Sequence, residues 1–304
     1  MARVVLITTG SMEELAFPRS LARLFPEHEF IARPRLDGFT SFTLPPDYAA
    51  LRDERPLLNI EKFAKTLIGQ IAGGRRDEPR VDYVVALEDM ELRNSAAPER
   101  ITRALRDAVA RNLEGWGDGS TPRRLGDALR ARCSFHLMAP MTEAYFFADP
   151  TAFARATAPG PHHPCCFDPG VRDVEDFHVE DPRYLEVPAV PKPARKRHDW
   201  RCEDRQGHPK RYLEYLTDAE LDGKGRYTET IHGCAALTEL DWPTVVRGDA
   251  RAPTVFARFA RSLMADLVDM LGSSPVCPDL DALEVEHCHA LTWPPPAENI
   301  LRNL

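Results

Sequence analysis

The stretch VVALEDMELRN, residues 84–94, carries Glu88, Asp89 and Glu91 directly behind the apolar run Tyr83–Leu87. Clustered carboxylates suit a hard divalent cation such as Mg2+ or Mn2+, which needs few protein oxygens when water and a phosphate supply the rest. A metal held in this way polarises a phosphoryl oxygen and activates water, the chemistry of phosphodiester hydrolysis. Asp89 and Glu91, one residue apart, can face the same loop once their strand has ended. Glu13, behind the run RVVLITTG, and Glu143, behind CSFHLMA, are further ligand or base candidates. The plainer alternative is that these acids are solvated loop and helix-start charges.

Such positions need strands to place them. Arg3–Gly10 is rich in β-branched residues, and SMEELAFPRSLARLF after it repeats apolar residues at helical spacing through Leu15, Leu21, Leu24 and Phe25. Ser11 is the expected N-cap, with Glu13 and Glu14 in the first turn, where the helix dipole favours them. Pro18 is expected to bend this helix or to mark a later start. Residues 35–55 read as a long irregular connection, and LLNIEKFAKTLIGQIAGG as a helix stopped by Gly73 and Gly74. VDYVVALEDMELRN reads as an inner strand of a parallel sheet. APERITRALRDAVARNL is amphipathic on Ile101, Leu105, Val109 and Leu113, and Cys133–Ala139 is a third strand leading into a short helix with Glu143. Strands alternating with helices predict an α/β layered fold whose functional edge lies at the C-terminal ends of the strands. If the three strands are neighbours, Glu13, Asp89, Glu91 and Glu143 converge there.

The remaining chain divides by composition. Residues 1–158 form the expected α/β core. Nine of the 27 prolines fall in 159–209, read as an irregular, locally basic insertion. Residues 210–272 are a helical segment expected to pack on the core, with a stripe through Val255, Phe259, Leu263, Leu267 and Leu271, and 273–304 are a tail. Between Lys192 and Arg211, eight Lys or Arg face three Asp or Glu, in a chain whose net charge is −8. That run is most simply a solvated or partner-facing surface, with Trp200 and His198 as candidates to stack a base. The acidic total disfavours phosphate backbones and anionic lipid outside this patch.

The seven cysteines are expected to be reduced thiols. His162, His163, Cys165 and Cys166, and likewise Cys277, His287, Cys288 and His289, lack the two spaced ligand pairs of structural zinc, so zinc is not expected. No apolar run reaches membrane length, and the start of the chain is too weakly apolar for a secretory signal, which predicts a cytoplasmic protein without membrane contact. GSMEE lacks the lysine of a nucleotide-binding loop, so any ATP hydrolysis must come from a partner.

In order, TTGSMEE, LEDMELRN, APMTEAYFFADPTAFARA, HPKRYLEYL and YTETIHGCAALTELDWPTVVRGDARAPTVFARFARSL resemble the bacterial family known as domain of unknown function 4276, over about residues 2–271. That resemblance implies a Toprim-like α/β domain, related to those of overcoming-lysogenization-defect nucleases, topoisomerases and primases. It further implies a Mg2+-dependent nuclease or nuclease-like effector of DNA or RNA, in anti-phage defence beside an ATPase. On the family's pattern, Asp89 and Glu91 stand at its Asp-x-Asp pair, Glu13 at its second early glutamate and Glu143 at its mid-chain glutamate. Lys210 and Arg211 stand at its basic segment, as phosphate contacts. Its first glutamate is Thr9 here, and a hydroxyl cannot act as a carboxylate base, although Glu13, Glu14 or Glu88 could take its place in space. The resemblance therefore also allows a catalytically degenerate scaffold that binds a partner protein.

Overall fold

A computed structural model describes residues 1–40, 58–73, 80–116, 120–192, 199–247, 257–277 and 299–304. The chain forms two compact units, one of Met1–Met138 with Phe259–Leu304 and one of Ala139–Arg258.

The first unit opens with β1 (Arg3–Thr8), α1 (Ser11–Leu24), β2 (Glu29–Ala32) and α2 (Leu58–Ala72), then β3 (Tyr83–Asp89), α3 (Glu99–Glu114), α4 (Ser120–Arg132) and β4 (Cys133–Met138). The strands make one sheet in the order β2-β1-β3-β4, with every neighbouring pair parallel. Val84–Glu88 of β3 and all six residues of β4 are buried, as strands covered on both faces should be. Phe39, Phe63 and Phe135 pack at 5.4–6.1 Å between ring centroids in this core. The α/β expectation holds, and the three strands expected from sequence are consecutive in the sheet. The fourth, β2, is four residues long and only Phe30 of it is buried, so it carries no periodic signal.

One local expectation for α1 is corrected, and of the two alternatives for Pro18 one is removed. Its N-cap is Gly10, in extended backbone with no side-chain cap bond, and Ser11 is already helical, its hydroxyl taken by the Arg35 guanidinium. The helix also runs through Pro18 rather than starting after it.

The last helix of the chain, α10 (Arg258–Leu271), belongs to the first unit apart from its first residue, and buries Phe259, Leu263 and Leu267. Val255 of the expected stripe lies outside the described residues. Residues 299–304 run beside β4: the Arg302 N–H donates to Cys133 O at 2.8 Å, and the Asn303 carboxamide bonds both peptide groups of Phe135.

The second unit holds a 3-10 segment (Thr142–Ala148), where a short helix was expected, then α5 (Pro150–Ala156), α6 (Pro182–Glu186), α7 (Pro209–Leu216), a π-helical turn (Glu229–Gly233), α8 (Cys234–Glu239) and α9 (Trp242–Arg247). The proline-rich stretch supplies Phe167, Phe177, Tyr184 and Trp200 to an aromatic core with Phe147, Tyr212 and Tyr215. Its irregular backbone is pinned where Asp168, Asp173, Asp181 and Asp199 each accept from the N–H two residues on. Trp200 is fully buried and donates to Asp218 at 2.8 Å, so the reading of Trp200 as a base-stacking side chain is corrected. His198 lies outside the described residues. No helix among the described residues is long and apolar enough to cross a membrane.

Candidate functional site

In the first unit, the parallel register sets Thr8 opposite Leu87 and so brings Thr9 and Glu88 together at the C-terminal ends of β1 and β3. Glu88 is 2% exposed. Its Oε1 accepts from Phe39 N at 3.1 Å, Thr40 N at 3.2 Å and Thr40 Oγ1 at 2.9 Å. Gly38 permits that approach, since a Cβ there would stand 3.1 Å from the same oxygen. Asn94 completes the staple by donating to Thr40 O and Met90 O at 2.9 and 3.0 Å. Burial pushes the Glu88 carboxyl up to about 7, against the opposing pull of donors on Thr9, Thr40 and Phe39. Its second oxygen is buried with no partner at hydrogen-bond geometry.

Asp89 ends β3, so the pleat sends its side chain to the opposite face from Glu88. It is half-buried, as is Glu91. Glu91 adopts φ 63°, a left-handed backbone that a non-glycine residue holds only when its surroundings enforce it. Glu13 is 5% exposed, and its carboxylate lies back over Gly10 so closely that a Cβ there would overlap it.

Glu143, Lys210 and Arg211 belong to the second unit, where Glu143 is 3% exposed in the 3-10 segment. Tyr227 donates to Glu143 Oε1 at 3.3 Å, and Lys210 forms an ion pair with Glu229. Burial raises the Glu143 carboxyl, while Lys210 opposes the shift. Burial acts to lower Lys210, but Glu143 and Glu229 hold its ammonium well above the ordinary lysine range. Arg211 is bound to Glu214 at 2.6 Å, with 15% of its side chain exposed. Burial lifts Glu214 to about 7 despite that partner. A phosphate reaching Lys210 or Arg211 would therefore have to displace a carboxylate from each.

Among the described residues, no three His, Cys, Asp or Glu side chains are grouped so as to hold a metal ion. The chemistry of the donor set agrees: position 9 offers a hydroxyl, and the carboxylate beside it spends one oxygen on three protein donors. Thr9 and Glu88 by themselves do not supply the donor set of a resident Mg2+ or Mn2+. His163 stacks on Tyr215 at 4.7 Å and meets Asp218 O at 2.7 Å, while Cys165 and Cys166 are exposed free thiols. His287, Cys288 and His289 lie outside the described residues.

Sequence reasoning named Glu88 only as one acid that could stand in for the carboxylate missing at position 9, although a charged residue at a buried position of an inner strand must find donors. Tyr227 and Glu229 were missed altogether. The bond from Tyr227 to Glu143 spans 84 residues and leaves no local pattern. Comparisons of the chain with protein-family models, with curated proteins and with solved structures return no match.

Proposed function

We propose that the chain is a Toprim-like, nuclease-like scaffold that works through a partner protein, rather than a metal-loaded nuclease in its own right. The observation that carries this reading is the Thr9–Glu88 contact. The strand end that bears the first acid in the resembling family bears Thr9, and the neighbouring carboxylate is engaged in holding residues 38–40. The partner that the resemblance supplies is an ATPase, in a bacterial anti-phage setting. Calorimetric titration with Mg2+ and Mn2+, of the wild type beside Asp89→Ala, tests the reading. No saturable binding to either chain is expected; binding by the wild type that Asp89→Ala abolishes would overturn it.

That contrary outcome is the second reading, a Mg2+-dependent nuclease acting on DNA or RNA. It is favoured by the acids Glu13, Asp89 and Glu91 lying at the C-terminal ends of parallel strands, with water and phosphate left to complete the coordination. Under it, Asp89→Ala abolishes metal-dependent cleavage and leaves the fold intact, and unchanged cleavage would remove Asp89 from the site.

A further inference from the structure

The second unit holds a cavity of about 360 Å3, lined by residues 185–189 at and beyond the end of α6 and by residues 203, 205 and 206 at the 3-10 turn Arg205–Gly207. Its two sides are tied to the rest of the unit, since Val190 N donates to Arg201 O at 2.8 Å and Val179 N to Gln206 O at 3.0 Å. Leu185, Val187, Pro188 and Ala189 make one wall apolar. The other lining side chains include three charges, and none of the three has a counter-charge among the described residues.

Arg205 is the buried one, 6% exposed. Its Nη2 donates to Leu185 O at 2.7 Å and Val187 O at 2.6 Å, closing the end of α6, and its Nη1 donates to Cys202 O at 3.3 Å. The guanidinium stands 5.5 Å from the Tyr184 ring and 5.9 Å from the Trp200 ring. Carbonyls and rings fix its place without supplying negative charge. Among the described residues no carboxylate pairs with it, and its Nε is buried with no acceptor. A charge taken out of water ordinarily brings its counter-charge with it, because the low dielectric penalises it alone. The two acids that line the cavity, Glu186 and Glu203, are exposed and have no cationic partner among the described residues.

We propose that this cavity binds a free α-amino acid with an apolar side chain, its carboxylate on Arg205 and its ammonium towards Glu186 and Glu203. The lining decides the class. A phosphate or a dicarboxylate brings surplus negative charge to the two glutamates, and a simple amine sets a second cation beside Arg205. A zwitterion meets both signs, and the apolar wall takes its side chain. The Nη2 bonds tie the guanidinium to Leu185 and Val187 of that wall, so the charge lies at the surface the ligand touches. The volume suits one small molecule, at the lower end of the roughly 300–1,000 Å3 of ligand sites. The site belongs to the second unit and makes no use of the strand ends where Thr9 and Glu88 meet, so it stands or falls apart from the scaffold reading.

The test is calorimetric titration of the full chain with valine, leucine, isoleucine, methionine and phenylalanine, each up to about 10 mM. Saturable binding of at least one is expected; binding of none would overturn the proposal. For an amino acid that binds, the amine lacking its carboxylate is expected to bind about thirtyfold more weakly or worse, and the acid lacking its ammonium about threefold more weakly or worse. An analogue as tight as the parent would overturn the assignment of the charges. Arg205→Gln is expected to abolish binding, and unchanged affinity in that variant would move the ligand elsewhere. Should Arg205→Gln lose its far-UV dichroism with its three carbonyl bonds, the exposed pair Glu186→Gln and Glu203→Gln, combined, carries the decision. A loss of about threefold or more supports the site, and unchanged affinity overturns it.

Discussion

Burial and the donors of Thr9, Thr40 and Phe39 act on the Glu88 carboxyl in opposite directions, and burial prevails, lifting it from 4.5 to about 7. A carboxyl raised on folding binds its proton more tightly in the folded state. Its contribution to stability is complete below about pH 4.5 and is lost as pH rises through about 7. Glu88→Gln keeps an acceptor for Phe39 and Thr40 and cannot ionise. Urea unfolding at pH 5 and pH 8 should therefore show the wild type losing on the order of 2–3 kcal/mol more than the variant over that interval. Equal slopes would mean that Glu88 is not the buried acid described. The sequence shows Glu88, Asp89 and Glu91 as equals, because the pleat that buries one and half-exposes the next depends on where residues 38–40 pass. That passage is a tertiary fact without a local signature.

Among the elements, β1, β3 and β4 are legible because each is an apolar run ended by Gly, acid or Pro, while β2 and the aromatic core of the proline-rich stretch are not. A short strand is stabilised by its neighbour, and Phe167, Phe177, Tyr184 and Trp200 come together only through the Asp-pinned turns between them. Pro18 inside α1 deprives the Glu14 carbonyl of its helical donor, so Pro18→Ala should raise stability by about 1–3 kcal/mol, read as a higher urea midpoint. Gly225 is the opposite case. A Cβ there would overlap the backbone carbonyl of Glu214, which cannot swing aside as a side chain can. Gly225→Ala should cost more than about 3 kcal/mol, whereas Gly10→Ala meets the end of the Glu13 side chain, which can shift where a backbone cannot, and should lower the unfolding midpoint less.

Over the whole molecule, thiol chemistry reports both units at once. Six described cysteines are free, with Cys165 and Cys166 exposed in the second unit, and Cys133 and Cys202 buried, one in each unit. Burial raises the Cys133 thiol far beyond its ordinary range and raises Cys165 as well. An aromatic disulfide reagent should thus modify Cys166 first and Cys165 more slowly, with Cys133 and Cys202 reacting only in denaturant. Mass mapping that finds Cys133 labelled in the native protein would contradict its burial in β4. The two units are also interleaved along the chain, since 139–258 lies between the sheet and the residues that complete it. A ribosome consequently finishes the second unit first. The four-stranded sheet, although its strands emerge earliest, waits through about 120 further residues before α10 begins, and longer still for the Asn303 amide that bonds its outer strand. For that interval the nascent sheet offers its open strand to other chains on the same polysome.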